Sequence, residues 1–419
     1  MLEGAAERRA SVRLVVPGDD SGEVPRAAPG RLRLSQMLAM AAATGLSAAN
    51  LHYCQPLLAD IAAGFSLTVR GVSAVPTVTQ IGYALGLALF VPLGDLVERR
   101  RLIVLLVSAT AAALVGTALA PSLLILCFAS LMVGAFAAVV QVVVPFAATL
   151  AAPAERGRVV GFVTGGMLIG VLLGRTVSGF VGGAFGWRVM YTLAAAMMAT
   201  LALLLRELLP VSYPAAPISY RALVGSIWEL ARDTPLLRES AILGGLVFGA
   251  FMAFWTTLVF FVGLPPYYYN AQAAGMFGLI GVVGVMAAPA AGRFSDRRNP
   301  RLAIGFALVI GLVSYAVMGF FGRHLAGLIA GVVLLDFAAH VTHVSNQTRI
   351  YALMPEARSR LNTVYMVTFF CGGALGTVLA ANAWSLWGWS GVCGLGATLF
   401  MAALLIYARG MRRSRAVPT

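Results

Sequence analysis

Pro153-Ala-Glu-Arg156-Gly-Arg158 and Pro355-Glu-Ala-Arg358-Ser-Arg360 repeat one Pro and Arg spacing 202 residues apart. The same offset carries Gly170 and Gly174 onto Gly372 and Gly376, and Gly186-Trp187 onto Gly388-Trp389. Asp95 and Asp296 pair at an offset of 201. Matches at one fixed offset, across a loop and the two apolar runs behind it, mark a duplicated unit. Parallel repeats of this kind in an apolar chain are the signature of a transporter made of two similar bundles.

Composition agrees. Of 419 residues, 60% are hydrophobic and 11% charged, against about 25% charged in a soluble domain. Lipid rather than water is the main solvent. A membrane helix needs about 20 mostly apolar residues. Twelve such runs lie near 35–56, 72–93, 101–120, 122–150, 159–184, 187–205, 241–264, 271–291, 302–321, 325–347, 362–384 and 388–408. The sequence therefore predicts an all-α membrane protein, with twelve transmembrane helices in two six-helix pseudo-symmetric bundles. Its expected divisions are a disordered cytoplasmic tail over 1–34, a bundle over 35–205 and a Pro-rich cytoplasmic linker over 206–240. A second bundle over 241–408 and a basic cytoplasmic tail over 409–419 complete them. The first segment lacks the apolar stretch of a cleavable signal.

All 30 basic residues are Arg, and the net charge is +14. With the N-terminus inside, 26 of them fall on cytoplasmic segments, and only Arg70, Arg188 and Arg323 fall outside. That bias sets both termini in the cytoplasm of an inner (plasma) membrane. It also makes the basic balance a topology signal, not a mark of nucleic-acid binding. Cys54, Cys127, Cys371 and Cys393 have no metal spacing. A phosphate-binding loop of the Gly-x-x-x-x-Gly-Lys type cannot exist without Lys. ATP hydrolysis in this chain is excluded as the energy source, and no cofactor or metal is expected.

Polar groups inside the apolar runs are the candidate chemistry. Gly166, Gly170, Gly174, Ser178 and Gly182 recur every four residues, one small face on which a second helix can pack closely. Gly372 and Gly376 give a shorter version. Arg175 lies within that fifth run, where a central charge costs about 2.5–3.5 kcal/mol. It is read as binding an anionic or carbonyl-rich substrate or pairing with a carboxylate, with snorkelling to the surface as the bland alternative. Asp336 is the carboxylate deepest in any run, and His340, His343 and Gln347 follow at i+4, i+7 and i+11. Such a face can relay protons, or can merely bond helices together. A metal on Asp336, His340 and His343 has no supporting Cys or second His pair. Asn50, Tyr53, Gln55, Gln80, Tyr83, Gln141, Trp255, Asn362 and Tyr365 complete the polar set.

Asn50-Leu-His-Tyr-Cys-Gln-Pro-Leu-Leu58, Gln80-Ile-Gly-Tyr83, Pro92-Leu-Gly-Asp95, Asn346-Gln347 and Arg360-Leu-Asn362-Thr-Val-Tyr365 resemble the major facilitator superfamily. The likeness is to its twelve-span drug:proton-antiporter-like branch, within a bacterial subgroup of sugar, nucleoside and drug exporters. It covers nearly all of 35–408. The resemblance implies that spans one, four, seven and ten line a central cavity, and that the chain is a monomer. The superfamily's loop motif is similar to Asp95-Leu-Val-Glu98-Arg99-Arg100-Arg101, and more closely to Gly292-Arg-Phe-Ser-Asp296-Arg297. Both are read as charge latches that hold one conformational state, beside their simpler role as positive-inside anchors. Two departures stand out. Ser130 occupies the position of the antiporter motif's Arg, and Arg175 replaces the Pro of the span-five motif.

The expected function is alternating-access secondary transport, with proton-coupled efflux of a small organic molecule or drug through Asp336. An importer or uncoupled facilitator is the alternative of the same fold. An intramembrane enzyme or a sensor is the alternative of another class. The expected partners are a small-molecule substrate, protons and the bilayer.

Overall fold

The computed structural model describes residues 32–94, 96–213, 220–281, 300–354 and 357–415. The first half of the chain forms α1 (Leu34–Asn50), α2 (Cys54–Gly64), α3 (Val69–Val72), α4 (Ala74–Leu93), α5 (Arg99–Ala118), α6 (Leu123–Ala137), α7 (Val140–Leu150), α8 (Arg156–Phe185) and α9 (Trp187–Leu208). After the linker helix α10 (Tyr220–Asp233) come α11 (Pro235–Val262), α12 (Ala271–Gly281), α13 (Pro300–Phe321), α14 (Leu325–Tyr351) and α15 (Arg358–Arg415). Nine helices among the described residues are long and apolar enough to cross a membrane.

Local chemistry sets several boundaries. Pro56, third in α2, has no N–H to offer the carbonyl of His52, and its ring crowds that carbonyl. The chain tightens there, and the His52 carbonyl accepts from Gln55 N instead, at 3.2 Å. Nothing in the residues around Ala138 and Val139 accounts for the break between α6 and α7. Glu98 caps α5 by accepting from the N–H groups of Arg100 and Arg101, each at 2.8 Å. Gly186 (φ 89°) turns α8 into α9, and Gly388 (φ 57°) breaks α15 at the repeat-equivalent point. Only glycine adopts such angles without strain. The tryptophan after each glycine plugs the corner: Trp187 lies against Phe65, and Trp389 stacks on Phe261 with ring centroids 3.9 Å apart.

The repeat reappears as packing. Glycine seams let backbones touch. A methyl on Gly170 would overlap the carbonyl of Gly45, so α8 lies directly on α1. In the second half, methyls on Gly372 and Gly376 would overlap the carbonyls of Gly245 and Gly249, so α15 lies the same way on α11. Dense packing of this kind is what joins helices in lipid, where apolar burial gives no drive.

The two halves of the chain meet along α4 and α15, α2 and α11, and the far part of α8 against α12. Both ends of this seam are bridged. At the end that carries the Arg clusters, Asn362 Nδ2 donates to Gln141 Oε1 at 3.3 Å. At the opposite end, Arg70 Nη2 donates to Ser385 Oγ at 3.0 Å.

Candidate functional site

The small face of α8 turns toward α1 and α2. Gly166, Gly170 and Gly174 abut Ala41, Gly45 and Ala49, and the Ser178 hydroxyl donates to the Tyr53 carbonyl at 3.0 Å. That contact carries Arg175 inward rather than to the surface. The side chain is 2% exposed. Its Nε donates to Gln55 Oε1 at 2.6 Å, and Nη2 faces Nδ1 of His52 at 3.4 Å. The guanidinium carbon stands 4.1 Å from the Trp255 ring centroid and 5.6 Å from that of Phe251. A desolvated cation on an aromatic face gains about 2 kcal/mol or more. The cage around Arg175 is thus made of an amide, an imidazole and two aromatic rings from α2, α11 and the turn at His52. A small cleft opens beside it, lined by Gln55, Pro56, Arg175, Trp255, Leu258, Val259 and Ala274.

Asp336 of α14 is equally buried, at 2% exposure. Its Oδ2 has no hydrogen-bond partner among the described residues. Its Oδ1 faces Gly281 of α12, where an added methyl would stand 3.3 Å away. Asp336 and Arg175 act on each other electrostatically. They form no ion pair within 4 Å: the salt bridges found among the described residues join Arg232 to Asp233, and Arg301 and Arg349 to Glu239.

The row below Asp336 does not form a hydrogen-bonded chain. His340 donates from Nδ1 to the Asp336 carbonyl, 2.8 Å away, not to the carboxylate. His343 Nδ1 meets the Tyr365 hydroxyl at 3.1 Å. Gln347 Nε2 donates to Asn362 Oδ1 at 3.2 Å, as does the Tyr351 hydroxyl at 2.8 Å. Asn362 and Gln141 then tie this knot to the first half. Each member of the row has found its own partner on α14 or α15.

Met252 is a second meeting point. Gln80 Nε2 and Gln55 Nε2 both donate to its sulfur, at 3.2 and 3.6 Å. Gln80 Oε1, Asn50 Nδ2 and Trp255 Nε1 are buried without partners among the described residues. Tyr83 packs on Phe370 of α15 with centroids 4.2 Å apart. Residues from α2, α4, α11 and α15 therefore converge between the halves.

Of the latch residues, Asp95, Gly292, Asp296 and Arg297 lie outside the described residues. Arg99 donates to the Gly94 carbonyl at 3.0 Å and to Thr149 Oγ1 at 3.1 Å; both lie in its own half. Arg100 and Arg101 contribute backbone N–H groups to the Glu98 cap.

Sequence reading missed three features. His52 sits one turn before Gln55, inside the Asn50–Leu58 stretch, and its spacing was a usable signal. Met252 and Phe251 carry no signal in a helix that is apolar all round. The third is an ion cluster at the Arg-rich end, where Glu239 Oε1 takes Arg349 Nη2 at 3.3 Å and Arg301 Nη2 at 3.5 Å. It joins α11, α13 and α14.

Known proteins place this geometry. The sequence profile of the Major Facilitator Superfamily matches residues 38–328. The transporter YgaY of Escherichia coli O157:H7 is 40% identical over 377 residues, which are 90% of this chain and 96% of that one. A probable transporter of Streptomyces coelicolor is 35% identical, over 90% of this chain and 86% of that one. Among solved structures, the nucleoside transporter NupG superposes with a TM-score of 0.72 at 13% identity, over 89% of this chain and 99% of that one. A bacterial homolog of the human lysosomal transporter Spinster, inward-facing and occupied, gives 0.71 at 14% identity, over 90% and 96%. The human organic anion transporter MFSD10 gives 0.67 at 17% identity, over 90% and 100%.

Proposed function

The chain belongs to the Major Facilitator Superfamily, a family of multi-pass membrane transporters and not of enzymes, and from that premise we propose that it exports a small organic molecule in exchange for protons. The transport is by alternating access across the inner membrane, by a monomer with both termini in the cytoplasm. The twelve crossings count α1 and α2 as one, α12 as one, and α15 as two divided at Gly388. Residues 35–205 and 241–408 are then the two rocking bundles, and 206–240 the linker.

The observation that carries the coupling is Asp336. It is a carboxylate buried mid-helix, with one oxygen unpartnered among the described residues and a separated cation in its field. A carboxylate in such a place can be neutral or charged, and the two forms differ in their attraction to Arg175. A proton gained from outside and lost inside then biases the halves through its differential affinity for the two states. His340 and His343 stand next along α14 as candidates for passing the proton toward the Arg-rich end. Tyr365, Asn362 and Gln141 line the same path. Since Ser130 replaces the family's antiporter Arg, coupling here rests on Asp336 and Arg175. Ser130 is also what favours an uncoupled facilitator or importer as the second reading.

Compounds that raise the melting temperature of the purified protein supply the substrate for the test. In proteoliposomes, Asp336→Asn is expected to abolish flux driven by a pH gradient. Full gradient-driven flux in the variant refutes the coupling role. Counterflow that does not respond to the gradient in the unaltered protein selects the facilitator.

A further inference from the structure

α12 presents Gly275, Gly278 and Gly281 at i, i+3 and i+6, one bare stripe of a helix. Added methyls would stand 2.8 Å from the Arg175 carbonyl at Gly275 and 3.0 Å from Arg175 Cβ at Gly278. At Gly281 the nearest neighbour is instead the Asp336 carboxylate, 3.3 Å away. The stripe is therefore a floor shared by the buried cation and the buried carboxylate. Gly278 and Gly281 are separated by about 4.5 Å of helical rise. Arg175 and Asp336 are thus neighbours across about one turn, without reaching ion-pair distance.

Donors and acceptors remain on both sides of that gap. Nε of Arg175 is held by Gln55 and Nη2 faces His52, while Nη1 donates to no described residue. Trp255, whose ring underlies the guanidinium, has a buried Nε1 without a partner among the described residues. On the other side, Asp336 Oδ2 is a buried acceptor without a partner among the described residues. Donors gather around Arg175, and an unpartnered acceptor belongs to Asp336.

Charge decides which ligand suits the pair. Arg175 and ionised Asp336 sum to zero. A monoanion on Arg175 would leave the buried site with net negative charge, and a cation on Asp336 would leave it net positive. Either excess is costly away from water. A molecule with both charges leaves the sum at zero and satisfies both groups.

We propose that the gap between Arg175 and Asp336 binds a zwitterionic amino-carboxylate with an apolar side chain. Its carboxylate lies on Arg175 and Trp255, and its ammonium lies on Asp336. An α-amino-carboxylate makes one charge-assisted bond of about 2.8 Å at each end. Its apolar side chain faces Pro56, Leu258 and Val259 beside Arg175. The inference rests on Asp336 as the coupling group, because a proton on Asp336 removes the ammonium's counter-charge. Proton and substrate then compete, which is what exchange requires.

Binding to the purified, detergent-solubilised protein tests the inference without any gradient. The probes are L-leucine, L-phenylalanine and L-tryptophan, each with its N-acetyl derivative (anion only) and its carboxamide (cation only), followed by calorimetry. At least one zwitterion is expected to bind, and at least tenfold more tightly than both of its derivatives. Arg175→Gln and Asp336→Asn each remove that preference, and Asp336→Glu restores part of it. An N-acetyl or carboxamide derivative binding as well as its parent overturns the proposal, as does failure of all three zwitterions to bind at millimolar concentration. If the variants do not fold, the comparison on the unaltered protein still decides. Any of these failures leaves the Asp336→Asn flux result intact, whereas full gradient-driven flux in that variant removes the coupling reading and this inference with it.

Discussion

At the scale of single residues, the site depends on how a permanent charge is kept inside lipid. Arg175 is held by an amide oxygen, an imidazole nitrogen and two aromatic faces. Gln55 makes the shortest of these contacts. Gln55→Leu strands Nε of a buried cation. A hydrogen bond to a charged group is worth about 1.5–3 kcal/mol, so the variant should melt earlier in detergent by a corresponding amount. Gln55→Glu should place a charge on Arg175 and weaken binding of the zwitterions above by at least tenfold, since the guanidinium is then already neutralised. Arg175 and Asp336 were legible in the sequence because a charge in an apolar run has few innocent explanations. Their neighbours were not. Gln55 lies 120 residues from Arg175, and periodicity gives the face a residue occupies but not what stands opposite. The proposed His relay shows the same limit. The i+4 and i+7 spacing put His340 and His343 near one face, yet a backbone carbonyl and the Tyr365 hydroxyl engage their Nδ1 atoms.

At the scale of elements, the glycine seams fix how closely helices approach. Gly170 and Gly165 lie on the same helix and make a matched pair. A methyl on Gly170 would overlap the Gly45 carbonyl, while nothing lies within 4 Å of one on Gly165. Gly170→Ala is expected to cost about 1–3 kcal/mol through overpacking. Gly165→Ala is expected to be neutral or to stabilise by up to about 1 kcal/mol through helix propensity. Thermal unfolding in one detergent, followed by circular dichroism, reads both; equal shifts would contradict the seam. The four-residue spacing of small residues made this face legible, and the repeat made its copy on α15 legible. The Gly186-Trp187 and Gly388-Trp389 pairs were legible as repeat markers, but not as corners, because a dipeptide does not reveal the sign of φ. The break at Leu51–Tyr53 followed from Pro56 only once the turn was visible.

At the scale of the molecule, two bundles are bridged at both ends of one seam. Opening toward either side must break one bridge and keep the other. The Gln141–Asn362 bond closes the Arg-rich end, and the Arg70–Ser385 bond closes the opposite one. Glu239 with Arg301 and Arg349 binds α11, α13 and α14 into one body at the Arg-rich end. Glu239→Gln should therefore lower the melting temperature more than it alters substrate affinity, as measured by calorimetry beside the melting curve. The repeat made two similar bodies legible in the sequence. It could not show which residues close each end, since those pairs are more than 200 residues apart and are not repeat-equivalent. The most direct test of alternating access labels both ends in a variant with the native cysteines replaced. One spin-label pair sits at Arg156→Cys and Arg358→Cys, and the other at Thr68→Cys and Leu386→Cys beside the Arg70–Ser385 bond, all at exposed positions. Pulsed electron resonance distances are then recorded at pH 5.5 and pH 8. The account predicts that one pair lengthens as the other shortens; two pairs that stay fixed, or that lengthen together, contradict it.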